Sequence, residues 1–194
     1  MQAREQPAPS RRRGRRRDPV DEATRHWHQR YEEAARFRAL TSLVRTYGAA
    51  VRAIEALLRP LGLTLSRFEI LLVLTFARSG ALPIMRLRDV LMIHGSSVTY
   101  LVDRLEAAGL VSRESQPADR RVSLVRVTDE GRELVERASH LLAERGFGPF
   151  AALDEERLEQ LSNLLAELRV EGGGSQDGRA WADGAGLAGD GGPA

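Results

Sequence analysis

Apolar residues recur at helical spacing through Leu40, Leu43, Val44, Tyr47, Val51, Ile54 and Leu58. Positions three and four apart share a helix face, so this stretch predicts a long amphipathic helix. It stops near Arg59-Pro60, because proline disfavours helix at the residue before it. Leu65-Ser66-Arg67-Phe68-Glu69-Ile70 reads as a second helix start, with Ser66 and Glu69 as a capping box and Leu65 with Ile70 as a hydrophobic staple. This helix runs to about Arg78 and ends at Ser79-Gly80. Leu82-Pro83-Ile84 is short and extended. A small helix over about Arg86–Met92 turns Leu87, Val90 and Leu91 inward, and His94-Gly95-Ser96 forms a tight turn. A further helix over about Ser96–Ala108 carries Val98, Leu101, Val102 and Leu105 on one face and ends at Gly109, a natural C-terminal cap.

After Gly109 the period shortens to about two. Leu110–Ser115 and Val122–Thr128 are rich in β-formers, and the turn-forming run Gln116-Pro117-Ala118-Asp119-Arg120 separates them. The pair predicts a hairpin carrying Arg113, Arg120, Arg121 and Arg126. Thr128 then caps a helix with Asp129 and Glu130 in its first turn, where negative charge suits the helix dipole. Asp154 caps the last helix, whose apolar face is Leu158, Leu161, Leu164, Leu165 and Leu168.

Composition narrows the class. With 194 residues and 42% hydrophobic content, the chain suits one folded domain with tails. The absence of cysteine excludes disulfides, zinc-thiolate sites and thiol redox sensing. No apolar run reaches the roughly 18 residues a membrane helix needs, and no apolar segment follows the basic N-terminus, so the reading is a cytoplasmic protein without a membrane partner. The net charge of +2 hides a segregation. Residues 1–25 hold 8 Arg against 4 acids, and residues 171–194 hold 1 Arg against 4 acids. All 29 basic residues are Arg, the side chain better suited to bidentate contact with phosphate and guanine. A GC-rich genome explains that usage as well, so charge hints at nucleic acid without establishing it. The expected organisation is a disordered Arg-rich tail over 1–25, a folded domain over 26–170 and a Gly-rich disordered tail over 171–194. Within the domain, 26–60 and 129–170 flank a lobe at 61–128. The run Arg11–Arg17 reads as a DNA-tracking arm, an inert tail, or upstream sequence from a misassigned start.

The order helix, helix, short strand, helix, turn, helix, hairpin places two helices about a Gly-containing turn, the helix-turn-helix unit, whose second helix enters the DNA major groove. The outer face of that helix offers Ser96, Ser97, Tyr100, Asp103 and Arg104, with Thr99 on the flank. Small hydroxyls near a helix N-terminus permit close approach to phosphates and base edges. A two-stranded wing with Arg120 and Arg121 near its tip can reach a neighbouring minor groove, whose negative potential attracts arginine. Asp119 in turn is placed to orient Arg113 or Arg121. The fold class is therefore mostly α with a small β wing: a winged helix-turn-helix flanked by apolar-faced N- and C-terminal helices.

The stretch Val98-Thr-Tyr-Leu-Val-Asp-Arg-Leu-Glu-Ala-Ala-Gly-Leu-Val-Ser-Arg113, continuing through Asp119-Arg120-Arg121 to Val127-Thr128-Asp129-Glu130-Gly131, resembles the MarR family of bacterial winged-helix regulators over about residues 36–168. The family pattern has Leu where Val127 stands. The resemblance implies that Arg121 enters the minor groove, that Asp119 orients the wing arginine, and that Ser96, Ser97, Thr99 and Tyr100 read the major groove. Arg104 either braces the fold or touches phosphate. It also implies a homodimer, held by N- and C-terminal dimerisation helices, on a pseudo-palindromic double-stranded DNA operator. The apolar faces at Leu40–Leu58 and Leu158–Leu168 agree with this, since a domain this small cannot cover them.

The function read is that of a dimeric repressor relieved by a small aromatic or phenolic effector. Trp27, Tyr31, Tyr47 and Phe68 are pocket candidates, Phe37 beside them, with plain core as the alternative for each. Peroxide-sensing relatives need a reactive cysteine, which is lacking here. Urate-responsive ones usually carry Arg where Leu101 stands and Asp where Glu69 stands. No cofactor or metal is implied: His26 and His28 sit at the edge of the tail, and His94 and His140 are isolated. No nucleophile motif or phosphate loop is present, so an enzyme is not expected. The alternatives are a ligand-independent DNA-binding or architectural protein, and a winged helix used as a protein-interaction module.

Overall fold

In a computed structural model, the described residues are 18–91, 95–116 and 119–171; for Ser96, Gln116, 119–122, Val170 and Glu171 the description is of backbone alone. The Arg11–Arg17 run and the tail expected over 172–194 lie outside these residues. The chain divides into two units, one within 1–49 and the other within 50–194.

In the first unit, helix α1 spans Pro19–His28. The expected tail boundary at residue 25 therefore falls inside a helix. The local chemistry accounts for it: the Asp18 side chain accepts from the Val20 amide at 2.9 Å, Pro19 sits at the first helical position, and Asp21 and Glu22 occupy the first turn. Helix α2, Ala34–Leu58, begins six residues before the first apolar position of its stripe and continues into the second unit. Between α1 and α2, Trp27 stacks on Phe37 with centroids 4.2 Å apart and tilts against Tyr31 at 4.7 Å. Its indole N–H donates to the Glu32 carbonyl at 2.7 Å, and Arg38 pairs with Asp21 at 3.0 Å.

In the second unit, a 3-10 turn at Arg59–Leu61 follows Leu58, and α3 spans Leu65–Phe76. Its cap is Thr64 rather than Ser66, the hydroxyl accepting from the Arg67 amide at 3.4 Å. The staple positions thus become Leu63 and Phe68, which are only 4% and 6% exposed. Burying that pair decides which of two hydroxyl residues, two positions apart, caps the helix. Strand β1 (Ala81–Pro83), α4 (Ile84–Leu91) and α5 (Gly95–Ala107) come next. Strands β2 (Val111–Gln116) and β3 (Asp119–Val127) then complete an antiparallel sheet of order β1-β3-β2. Pairing runs from Val111↔Val127 to Gln116↔Asp119 with a register shift after Ser115, so the strands extend into the run expected to be turn.

Helix α6 (Asp129–Glu144) is capped by Thr128, as expected, and a 3-10 turn at Gly148–Ala152 leads to α7 (Glu155–Glu171). Asp154 accepts from the Arg157 amide at 3.0 Å, the cap read from sequence. The core gathers Leu58, Ile70, Leu71, Leu74, Leu87, Val98, Val102, Leu105, Val125 and Leu142, all essentially inaccessible. It fastens α3, α4, α5, the sheet and α6 together.

Candidate nucleic-acid interface

The inner face of α5 is set by the core: Val98, Val102 and Leu105 are buried and Leu101 packs against them. Anchoring that side forces the opposite side outward. Ser97, Thr99, Tyr100, Asp103 and Arg104 are all exposed, and the Arg104 guanidinium lies 6.0 Å from the Tyr100 ring centroid, within cation–π range. Ser96 is in the first turn of the same helix. The face expected to read DNA is thus assembled on one rigid element, with its hydroxyls at the helix N-terminus, where free amides favour phosphate.

The wing leaves α5 through Gly109, whose φ of +72° gives the left-handed turn that a glycine adopts at least cost. Its far end is fixed by Thr128. That hydroxyl donates to the Gly109 carbonyl at 2.8 Å and accepts from the Gly131 amide at 3.1 Å, joining the end of α5 to the start of α6. Gly131 belongs to this joint: a Cβ there would lie 2.2 Å from the Leu110 carbonyl oxygen and 2.9 Å from Val127 Cγ2. Thr128 and Gly131 are therefore packing requirements of the wing base.

Two arginines hold the hairpin. On its inner side Arg113 of β2 reaches α5, where one guanidinium nitrogen pairs with Asp103 and another donates to Glu106 at 2.7 Å. The Arg113 amide donates to the other Glu106 oxygen at 3.1 Å. On the outer side Arg126 of β3 grips Glu114 of β2 through two nitrogens, at 2.8 and 3.1 Å, and donates to the Ser79 carbonyl at 2.6 Å. The hydrogen bonds from Arg126 hold the Glu114 carboxyl below its ordinary range, and the same bonds hold Arg126 above its own.

Arg113, read as part of a wing-orienting pair with Asp119, is thus engaged with the recognition helix. Asp119, Arg120 and Arg121 lie in β3 at the wing tip, by backbone position. Glu106, Glu114 and Arg126 have structural roles that the motif reading passed over. Their signals were the i, i+3 spacing of Asp103 and Glu106 on a helix, and the diagonal cross-strand placement of Glu114 and Arg126.

The pocket candidates divide. Trp27 and Tyr31 share the aromatic cluster of the first unit, Tyr47 is 69% exposed, and Phe68 is a core residue of the second unit. Among the described residues no group of His, Asp and Glu could hold a metal ion, and no helix is long and apolar enough to cross a membrane.

Residues 61–122 match the MarR family. The chain is 38% identical to Sco5413, a MarR-family transcriptional regulator from Streptomyces coelicolor, with a TM-score of 0.64 over 70% of this chain and 93% of that one. It is 32% identical over 122 residues to YhbI, an HTH-type transcriptional regulator of Bacillus subtilis, covering 63% of this chain and 78% of YhbI. The chain belongs to the MarR family. CouR from Rhodococcus jostii RHA1, solved with p-coumaroyl-CoA bound, is 28% identical, with a TM-score of 0.54 over 66% of this chain and 87% of CouR. As a MarR-family member the chain is a DNA-binding transcriptional regulator of winged-helix fold, and not an enzyme. In that fold α4 and α5 are the helix-turn-helix, α5 is the recognition helix, and the β2–β3 hairpin is the wing.

Proposed function

We propose that this MarR-family regulator acts as a cytoplasmic homodimer on a pseudo-palindromic operator, repressing transcription until a small aromatic or phenolic ligand releases it. The observation that carries the dimer is the surface of α2. Leu40, Leu43, Val44 and Tyr47 stand at i, i+3, i+4 and i+7 and are 61%, 43%, 61% and 69% exposed. An exposed apolar stripe of that size calls for a protein partner, and a second copy supplies an identical stripe about a two-fold axis. In α7, Leu164 and Leu168 are also exposed. A two-fold dimer carries two recognition helices, so its operator repeats its half-site about one helical turn away. Occupying a promoter blocks polymerase without any further contact, which favours repression.

Release by ligand is supported by CouR, which binds p-coumaroyl-CoA, and by the aromatic residues of the first unit. One observation favours the alternative of a constitutive binder: Phe37 and Tyr31 both already pack on Trp27, and its indole N–H is spent on Glu32.

The deciding experiment is an anisotropy titration against DNA upstream of the protein's own gene, with scrambled competitor and varied salt. Tight, competitor-resistant binding at two chains per site supports the dimeric regulator, and a subsequent screen of phenolic compounds separates inducible from constitutive binding. Binding that scrambled DNA competes away counts against the operator reading. On the same DNA, Arg121→Ala weakens binding by about 1–3 kcal/mol; unchanged affinity removes Arg121 from the interface.

A further inference from the structure

We propose that Glu106 is a positioning residue for DNA recognition: acting through Arg113, it sets the angle of the wing against the recognition helix. This inference rests on the reading of the wing as a DNA contact.

The geometry separates this role from simple stabilisation. Glu106 spends one carboxylate oxygen on the Arg113 guanidinium and the other on the Arg113 main-chain amide. It therefore holds both the side chain and the path of β2, three residues into the strand. Asp103, one turn earlier on α5, takes a second nitrogen of the same guanidinium. A planar fork held from two points of one helix has little rotational freedom. Arg113 keeps 28% of its side chain exposed, and Glu106 and Asp103 keep 38% and 53%. Ion pairs this wet add little to folding stability, so what they contribute is orientation.

The lever is long enough to matter. From Arg113 to Gln116 the strand advances about 10 Å. A tilt of roughly 10° at the clamp then moves the tip by about 2 Å, enough to take an arginine out of hydrogen-bond reach. The Arg126–Glu114 pair and its bond to Ser79 fix the opposite face of the hairpin to the α3–β1 corner. The clamp to α5 is what ties the hairpin to the helix that reads the major groove.

The test uses the full-length protein and a duplex selected by the wild type from a random library. Glu106→Gln is expected to weaken binding about tenfold and, in hydroxyl-radical footprints, to lose protection in the flanking minor groove while keeping that of the central major groove. Arg121→Ala reports on the wing contact itself. If Glu106 acts through the wing, adding Glu106→Gln to Arg121→Ala costs less than about twofold, because the contact it positions is already gone. Arg113→Lys, which keeps the charge but cannot span two carboxylates, is expected to reproduce the Glu106→Gln footprint, and it serves as the test if Glu106→Gln does not fold. Wild-type affinity in the clamp variants, or an equal loss in both backgrounds, overturns the positioning role. A silent Arg121→Ala, or a library that yields no enriched duplex, overturns instead the DNA-contact reading and the inference with it.

Discussion

Two of the apolar-periodic helices of this protein, α2 and α3, meet opposite fates. In α3, Phe68, Ile70, Leu71, Val73 and Leu74 are all buried. In α2, Leu40, Leu43, Val44 and Tyr47 are all substantially exposed. The difference lies in what each helix meets. Helix α3 is enclosed by the sheet and by α4, α5 and α6, so its residues were desolvated when the lobe folded. The α2 stripe leaves its apolar area in water, and a second copy is the cover proposed for it. One pattern thus serves folding in α3 and, on the proposed reading, association in α2.

Substitutions can break that contrast at either end. The largest effect is expected from Leu74→Ala, which opens a cavity in a fully buried site and lowers the unfolding free energy by about 2–5 kcal/mol, read by urea titration. Val44→Arg is expected to leave the folded chain intact and to raise the dimer dissociation constant about 100-fold, seen as monomer mass in light scattering at micromolar concentration. A Val44→Arg protein that stays dimeric moves the interface off α2. A smaller effect sharpens the account of α3 itself: Thr64→Ala costs about 1 kcal/mol, whereas Ser66→Ala stays within about 0.5 kcal/mol. Equal losses would restore the Ser66 capping box.

The smallest effect is a pH dependence. Half-burial raises the Glu69 carboxyl above its ordinary value of 4.5, so the folded state takes up this proton more readily than the unfolded one. The resulting penalty is absent below pH 4.5 and grows as pH rises through the raised value. Glu69→Gln is therefore expected to be slightly more stable than wild type at pH 7, with the gap closing toward pH 4.5 in thermal melts. Glu114 has the opposite sign. Its pairing with Arg126 holds its carboxyl below 4.5, so that contribution is full above pH 4.5 and is lost as pH falls.

Much of this architecture was legible in the sequence because its signals are local. The change of period after Gly109 announced the hairpin, Thr128 and Asp154 announced their helices, and the helical spacing of Val98, Leu101, Val102 and Leu105 told which side of α5 faces out. The start of α1 was legible too, in an Asp-Pro step followed by acids, but the surrounding Arg-rich composition outweighed it. The outer face of the recognition helix followed from its inner face, so those candidate residues could be named without coordinates.

What the tertiary structure alone decided involves groups distant along the chain. Thr64 caps α3 because Leu63 and Phe68 are buried together, and a capping motif does not encode burial. Arg113 pairs with Asp103 and Glu106, ten and seven residues away, because a helix and a strand meet there. Arg126 finds the Ser79 carbonyl across 47 positions. Phe68 joins a core cluster drawn from α3, α4, α5, the sheet and α6. Periodicity and capping arise from interactions within a few residues and can be read along a line. Partner choice among many equivalent arginines and carboxylates depends on which ones packing brings within about 3 Å, and only the folded chain specifies that.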